Sequence, residues 1–428
     1  MNEHCPGQAH ELYSSNCTQS LAKPSIHLPS KPASSVNILY YQRCYPKLSE
    51  SWIRNEIKEL RNRGHRVVVV SHQSSEIPEA DPADRSYDLP SASMNELTGL
   101  DATVIVDWFS SPPKIVDPSL HVFALFFSSQ AKAVVDSLPF DIDHIHGHFA
   151  SRYQVAAQYL ARSIDATHSV MTHAADLYAS DQKPTRRFLY RNCDKLFTIS
   201  EYNKRFMKDE ATAPVEVNVL PACFDASWFK PTEEFVECRL LTVARHVEKK
   251  GIRFALEAVA GMDRNEIEYH IVGDGPLTAQ LKSLTQELNI GDSVSFLGRV
   301  SDDRIREELD AAHLFVLPCV QTRNGDRDGI PIAIKEAMAM KTPPVTTTVS
   351  GIPEIVDDDC GYLVPPRDTE ALRETLAGGL HRSPEGKGTV ARERIKNHSS
   401  DAVVSELVDH FEQLKRGARA DPHRIDSE

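Results

Sequence analysis

Within its first seventy residues the chain completes a strand, a helix and a second strand, and some 180 residues later the same pattern begins again. Val36 to Tyr41 is a run suited to a buried strand, Ser49 opens an amphipathic helix that ends at Gly64, and His65 to Val70 is the next strand. Two strands joined through a helix lie parallel, so the pattern predicts a doubly wound α/β sheet whose ligands sit at the C-terminal strand ends. Further strands are expected at Ala102 to Val106, Asp143 to His146, Ser169 to Thr172, Lys195 to Ile199 and Val217 to Leu220. The apolar run Val122 to Phe127 reads as core helix or strand, a lipid-facing or acceptor-facing surface being the alternative. After a hinge at Pro221 to Pro231 come strands at Arg239 to Ala244, Glu268 to Val272, Val294 to Leu297 and Leu314 to Leu317, with a helix between Gly251 and Gly261. The expected organisation is a disordered tail at 1–35, one Rossmann-like domain at 36–220, a second at 221–400 facing it across a cleft, and a C-terminal helix with a charged tail at 401–428.

Charge and cysteine usage narrow the function. A net charge of −13 argues against nucleic acid as a partner, and the acidity lies in the second half, where 26 Lys and Arg face 36 Asp and Glu over 221–428. Eight scattered cysteines with no C-x-x-C pair suit reduced thiols in a cytoplasm. No stretch reads as a signal peptide or reaches membrane-spanning length, so a cytoplasmic place is expected. Arg186, Arg187, Arg191, Lys195, Lys204, Arg205 and Lys208 enrich one region of the first half in positive charge. That is either a solvated face or a peripheral contact with anionic lipid on the inner membrane face.

Asp328-Gly329-Ile330-Pro331 leads into the apolar helix that carries Glu336. Pro331 suits a first helical turn, and the two acids flank a helix start whose free N–H groups favour phosphate. One reading makes Asp328 a helix cap and Glu336 half of a core salt bridge. The other gives both acids to ligand hydroxyls. His144, His146 and His148 alternate on one strand face, which raises the question of a metal. No carboxylate or cysteine is evident to complete a site and Gly147 is expected to break the strand, so no metal is expected.

These pieces together resemble family 4 of the retaining glycosyltransferases, which have the GT-B fold. The second half matches through Ala244-Arg245-His246-Val247-Glu248-Lys249-Lys250-Gly251, Gly273-Asp274-Gly275-Pro276, Asp328 to Pro331, Glu336-Ala337-Met338 and Gly351-Ile352-Pro353-Glu354. The first half is similar through Tyr45 to Glu50, His144 to Ala150, Thr172 to Asp176 and Ser200 to Asn203, which point to the colanic acid and amylovoran type of exopolysaccharide enzymes. The resemblance implies that Arg245 and Lys250 neutralise the diphosphate of a nucleotide-sugar donor and that Glu336 binds its ribose. Asp328 stands where the family has a glutamate that contacts the donor sugar, beside Gly329, Ile330 and Pro331. Gly273 and Gly275 border the nucleotide. His173 corresponds to a histidine near the reacting sugar, and Ser49, Glu50 and His148 lie on the acceptor side. No cofactor is implied. The acceptor would be a glycan or a lipid-linked oligosaccharide. A nucleotide-sugar epimerase of the same fold and a non-catalytic binding module, with Asp328 the mark of a decayed site, are the alternatives.

Overall fold

The computed structural model describes residues 35–47, 50–73, 81–89, 117–179, 182–232, 234–262 and 267–420. The expected tail up to residue 34, the strand at 102–106 and Ser49 lie outside the described residues.

Two parallel sheets carry the chain. The first runs β3-β2-β1-β4-β5-β6-β7, built from β1 Asn37–Gln42, β2 Arg66–Ser71, β3 Arg85–Asp88, β4 His144–His148, β5 Thr167–Thr172, β6 Lys195–Thr198 and β7 Asn218–Val219. The second runs β10-β9-β8-β11-β12-β13, from β8 Arg239–Val243, β9 Glu268–Val272, β10 Val294–Gly298, β11 Leu314–Leu317, β12 Pro344–Thr347 and β13 Tyr362–Val364. In the first lobe the helices are α1 Ser51–Asn62, α2 Pro118–Asp136, α3 Arg152–Ser163, α4 Ala174–Tyr178, α5 Lys183–Asn192 and α6 Glu201–Glu210. The second lobe has α7 Ile252–Ala260, α8 Thr278–Glu287, α9 Asp302–Ala311, α10 Ile332–Ala339, α11 Thr369–Leu380 and α12 Glu385–Ile395, and α13 Ser400–Ala420 follows.

Each sheet reverses its order once, between β1 and β4 in the first and between β8 and β11 in the second. At such a switch point neighbouring connections leave to opposite faces and open a crevice at the strand C-termini, the usual ligand position in open α/β sheets.

The apolar run at 122–127 lies within α2, which packs on α3 with Ala124 and Phe126 buried, so most of it serves the core. Gly147 does not break β4. A Cβ there would fall 1.9 Å from Gln154 Oε1, so the glycine makes room for a side chain that donates from Nε2 to the Tyr41 carbonyl at 2.7 Å. The C-terminal helix is part of the first lobe's packing. The Phe411 ring centre lies 4.2 Å from that of His144, tilted by 35°, and Lys415 Nζ reaches Asp143 Oδ2 at 2.8 Å.

The lobes meet along short loops. Glu354 accepts from the backbone N–H groups of Glu201 and Tyr202 at 2.9 and 2.7 Å, so a carboxylate of the second lobe caps a first-lobe helix at its positive end. The Arg327 guanidinium lies 3.8 Å from the centre of the Tyr178 ring and donates to the Tyr202 hydroxyl at 3.3 Å. Gly329 packs on Ile199 and Ala174, where a Cβ would meet Ile199 Cδ1 at 2.7 Å.

Candidate active site

The loop after β8 holds Arg245, Lys249 and Lys250, and its shape depends on glycine. Gly251 has φ +68°, and a Cβ there would sit 1.8 Å from the Pro318 carbonyl oxygen after β11. Gly273, with φ +118°, presses against Ala244 so closely that a Cβ would fall 2.0 Å from its carbonyl oxygen. The first contact joins the loops after β8 and β11 at the switch point and the second joins those after β8 and β9, so the loop that carries the cationic side chains is held from both sides.

Lys250 Nζ forms an ion pair of 2.8 Å with Asp328 Oδ2, and Lys249 Nζ lies 3.5 Å from Asp328 Oδ1 and 3.1 Å from Asp326 Oδ1. Burial by itself would raise Asp328, but the two ammonium groups outweigh it and hold the carboxyl below its ordinary value. Burial likewise opposes the charge on Lys250, and Asp328 outweighs it, leaving the amine above its usual value. Arg245 is exposed, and among the described residues it makes no ion pair. The site thus carries two paired ammonium groups and, among the described residues, one guanidinium without an ion pair.

The capping reading of Asp328 does not hold. The N-cap of α10 is Pro331, one residue outside the helix rather than in its first turn, and no side chain caps it. Nor does Glu336 make a core salt bridge. Its half-buried carboxylate has no protein partner among the described residues, and burial, with the Asp302 charge behind it, pushes its pKa up to about 7. A carboxylate in that condition is short of donors, and ligand hydroxyls would supply them. Its neighbour Lys335 points the other way, buried and donating to the Ala222 carbonyl at 2.7 Å, with burial lowering its amine to about 7.

His173 follows β5 and heads α4, its backbone N–H donating to Asp176 Oδ1 at 2.7 Å. Burial, then His148 and Lys335, hold the imidazole well below its usual value, so the ring is neutral. A Cβ on Gly329 would lie 3.6 Å from the Ala174 Cβ, which places the donor-side loop against the residue next to His173. His148 is buried in the first lobe's core, its Nδ1 3.0 Å from His173 Nε2, so it reaches the cleft only through His173. Glu50 pairs with Lys47 at 2.6 Å at the start of α1. Gly275 lies against the His246 backbone, where a Cβ would come within 2.6 Å of its carbonyl oxygen. Arg186 leaves the expected basic surface altogether: it is buried, with Nη2 2.5 Å from Glu210 Oε1.

Sequence reasoning missed Lys249, Arg327 and Glu56. Lys249 stands beside a residue that was singled out, and only its pairing with Asp326 and Asp328 distinguishes it. Glu56 is the buried carboxylate absent from the sequence view of the histidines: its Oε1 lies 3.2 Å from His148 Nε2 and 3.6 Å from His146 Nε2. Both reasons for dismissing a metal there, a broken strand and a missing carboxylate, are therefore corrected.

Two family models match in succession, Glycosyltransferase Family 4 over residues 49–228 and Glycosyl transferases group 1 over residues 237–381. The chain is 25% identical over 411 residues to a protein of Salmonella typhimurium named as a colanic acid biosynthesis glycosyltransferase, WcaL, covering 86% of this chain and 98% of that one. It is 40% identical over 141 residues to the amylovoran biosynthesis glycosyltransferase AmsK of Erwinia amylovora, covering 32% of this chain and 35% of that one. Among solved structures, Anabaena Alr3699/HepE in complex with UDP superposes with a TM-score of 0.68 at 14% identity, over 88% of this chain and 100% of that one. With its two facing parallel-sheet lobes and both family domains in order, the chain belongs to the family 4 glycosyltransferases of GT-B fold.

Proposed function

We propose that this glycosyltransferase moves a hexose, with retention, from a nucleotide-diphosphate sugar to a polysaccharide or lipid-linked oligosaccharide in exopolysaccharide synthesis. The observation that carries the reading is the meeting, at the switch point of the second sheet, of Lys250, Asp328 and the start of α10, with the Gly329 loop resting against the helix that His173 heads.

In this reading Arg245 receives the diphosphate first, being exposed and unpaired. Lys250 then exchanges Asp328 for phosphate oxygen, so the negative charge that develops on the leaving diphosphate as the glycosidic bond breaks is met by a cation already desolvated. Asp328, released from that pair, faces the donor sugar together with the backbone of Gly329 and Ile330, and Glu336 accepts from the ribose hydroxyls. Neutral His173 positions the sugar. The acceptor hydroxyl attacks from the side of the departing phosphate, which takes its proton. No cofactor takes part. UDP is the first nucleotide to test, since the similar HepE was solved with it. The AmsK and WcaL names support an exopolysaccharide acceptor. Work at the cytoplasmic membrane face as a peripheral protein fits the absence, among the described residues, of any helix long and apolar enough to cross a membrane.

The test is calorimetric binding and donor hydrolysis of the full chain with UDP-, GDP- and ADP-sugars, beside Lys250→Ala and Glu336→Ala. One nucleotide should bind and lose at least tenfold in affinity in both variants. Equal binding by wild type and variants would overturn the donor site, and an inverted product anomer by NMR would overturn retention.

A further inference from the structure

Glu56, His146 and His148 stand together inside the first lobe, outside the donor site, and each is at most 3% exposed. Their ligating atoms all lie within 4.8 Å of one another. Four ligand atoms placed tetrahedrally at ~2.0–2.2 Å from an ion are about 3.3–3.6 Å apart. Glu56 Oε1 lies 3.2 Å from His148 Nε2 and 3.6 Å from His146 Nε2, so the carboxylate oxygen already has close to that spacing to both imidazoles.

A second observation is independent of spacing. His146 Nε2 is wholly buried and has no hydrogen-bond partner among the described residues, a condition that is costly unless something fills it. The network behind it can leave a lone pair there. The Thr167 hydroxyl has the Asp143 carbonyl at 3.4 Å, so it can donate to that oxygen and accept from His144 Nδ1 at 2.7 Å. His144 Nε2 then accepts from the Ser169 hydroxyl at 2.7 Å, and that oxygen accepts from His146 Nδ1 at 2.7 Å. With its proton on Nδ1, His146 presents a bare Nε2 to a carboxylate oxygen. Two lone pairs then face each other, and a cation between them removes the conflict.

Outer partners hold each of the three: Ser169 at His146 Nδ1, His173 Nε2 at His148 Nδ1 (3.0 Å), and the Tyr40 hydroxyl, which donates to Glu56 Oε1 at 2.5 Å. We propose that Glu56, His146 and His148 bind one divalent transition-metal ion, two imidazoles and one carboxylate suiting zinc with a water as the fourth ligand. The ion would join α1 to β4 and fix the proton of His148 on Nδ1, the nitrogen 3.0 Å from His173 Nε2. It lies behind that residue and takes no part in the glycosyl transfer proposed above.

The test uses the full chain without a polyhistidine tag. Wild type and His146→Gln are stripped with a chelator, dialysed against Zn2+ or Co2+, freed of excess ion, and compared by elemental mass spectrometry, thermal melting and visible absorption. The expected result is one ion retained per wild-type chain, a higher melting temperature with Zn2+, an intense four-coordinate Co2+ spectrum, and at least a tenfold loss of bound metal in His146→Gln. Retention below a tenth of an ion by wild type, or full retention by His146→Gln, would overturn the site. The first outcome would mean a metal-free hydrogen-bonded relay from Glu56 to His173, and the second an ion held elsewhere. Where the variant does not fold, the wild-type Co2+ spectrum decides: weak octahedral bands would overturn the proposal.

Discussion

Replacing Lys250 by methionine tests the centre of the donor site without any substrate. The 2.8 Å pair with Asp328 is mostly buried, the side chains being 17% and 14% exposed. Removing one partner from a buried pair costs about 3–5 kcal/mol, because the other charge is left without compensation. Here Lys249 remains 3.5 Å from the same carboxylate, so the expected loss is smaller, roughly 2–3 kcal/mol. Asp328→Asn in the Lys250→Met background removes the stranded charge and should recover at least ~1 kcal/mol, since an ion pair replaced whole is close to neutral. The assay is urea unfolding at pH 7 followed by tryptophan fluorescence and circular dichroism. The Asp328 carboxyl is depressed in the folded state, so its contribution is complete above the unfolded value near ~3.9 and is lost as the pH falls through the lower folded value. The difference between wild type and Lys250→Met should therefore be constant from pH 8 to about pH 5 and shrink only in stronger acid. A variant as stable as wild type, or a double variant no more stable than the single, would refute the reasoning.

Glu336 predicts the opposite pH behaviour. Its pKa of about 7 lies above the unfolded value, so the folded state binds the extra proton and this group's contribution to stability grows as the pH falls from 8 through 7. Glu336→Gln should gain about 1–2 kcal/mol at pH 8 while losing nucleotide affinity, and destabilisation at that pH in urea melts would contradict the assigned burial. Gly273→Ala sets a Cβ 2.0 Å from the Ala244 carbonyl oxygen at φ +118° and should cost more than ~3 kcal/mol or abolish soluble expression; a wild-type melting temperature would disprove the close approach. Arg327→Ala removes the guanidinium from the Tyr178 and Tyr202 rings, and a loss of roughly 1 kcal/mol or more is expected in thermal melts, with kcat/KM reduced in proportion if lobe contact assembles the site. Unchanged melting and kinetics would remove Arg327 from that role.

Local pattern was enough to place the central strands, because a buried parallel strand needs a short apolar run and a crossover, and Asn37–Gln42, Glu268–Val272 and Leu314–Leu317 supply these without outside help, whereas the edge strands Arg85–Asp88 and Tyr362–Val364 have no such run and were not expected. The same holds for the loop glycines, whose spacing marks turns before any neighbour is known. Gly147 shows the limit. As a lone glycine in a histidine-rich strand it reads as a break, and its reason, the Gln154 side chain that fills the space, stands seven residues away on the next helix.

Pairing across elements is what a single sequence hides. Lys250 and Asp328 are 78 positions apart and Glu56 and His148 are 92 apart, and no periodicity connects either pair. What connects them is the switch-point geometry, which brings the ends of β1 and β4, and of β8 and β11, to adjoining crevices. Residue type at a strand end therefore tells where charge will gather, while the protonation and partner of each group depend on the facing loop. The loops at 325–331 and 350–354 illustrate the consequence: they carry Asp328 toward the cations and, through Arg327 and Glu354, also hold the first lobe. A ligand that draws Lys250 away from Asp328 alters the anchor next to Arg327, so donor binding and the contact between lobes draw on the same few residues.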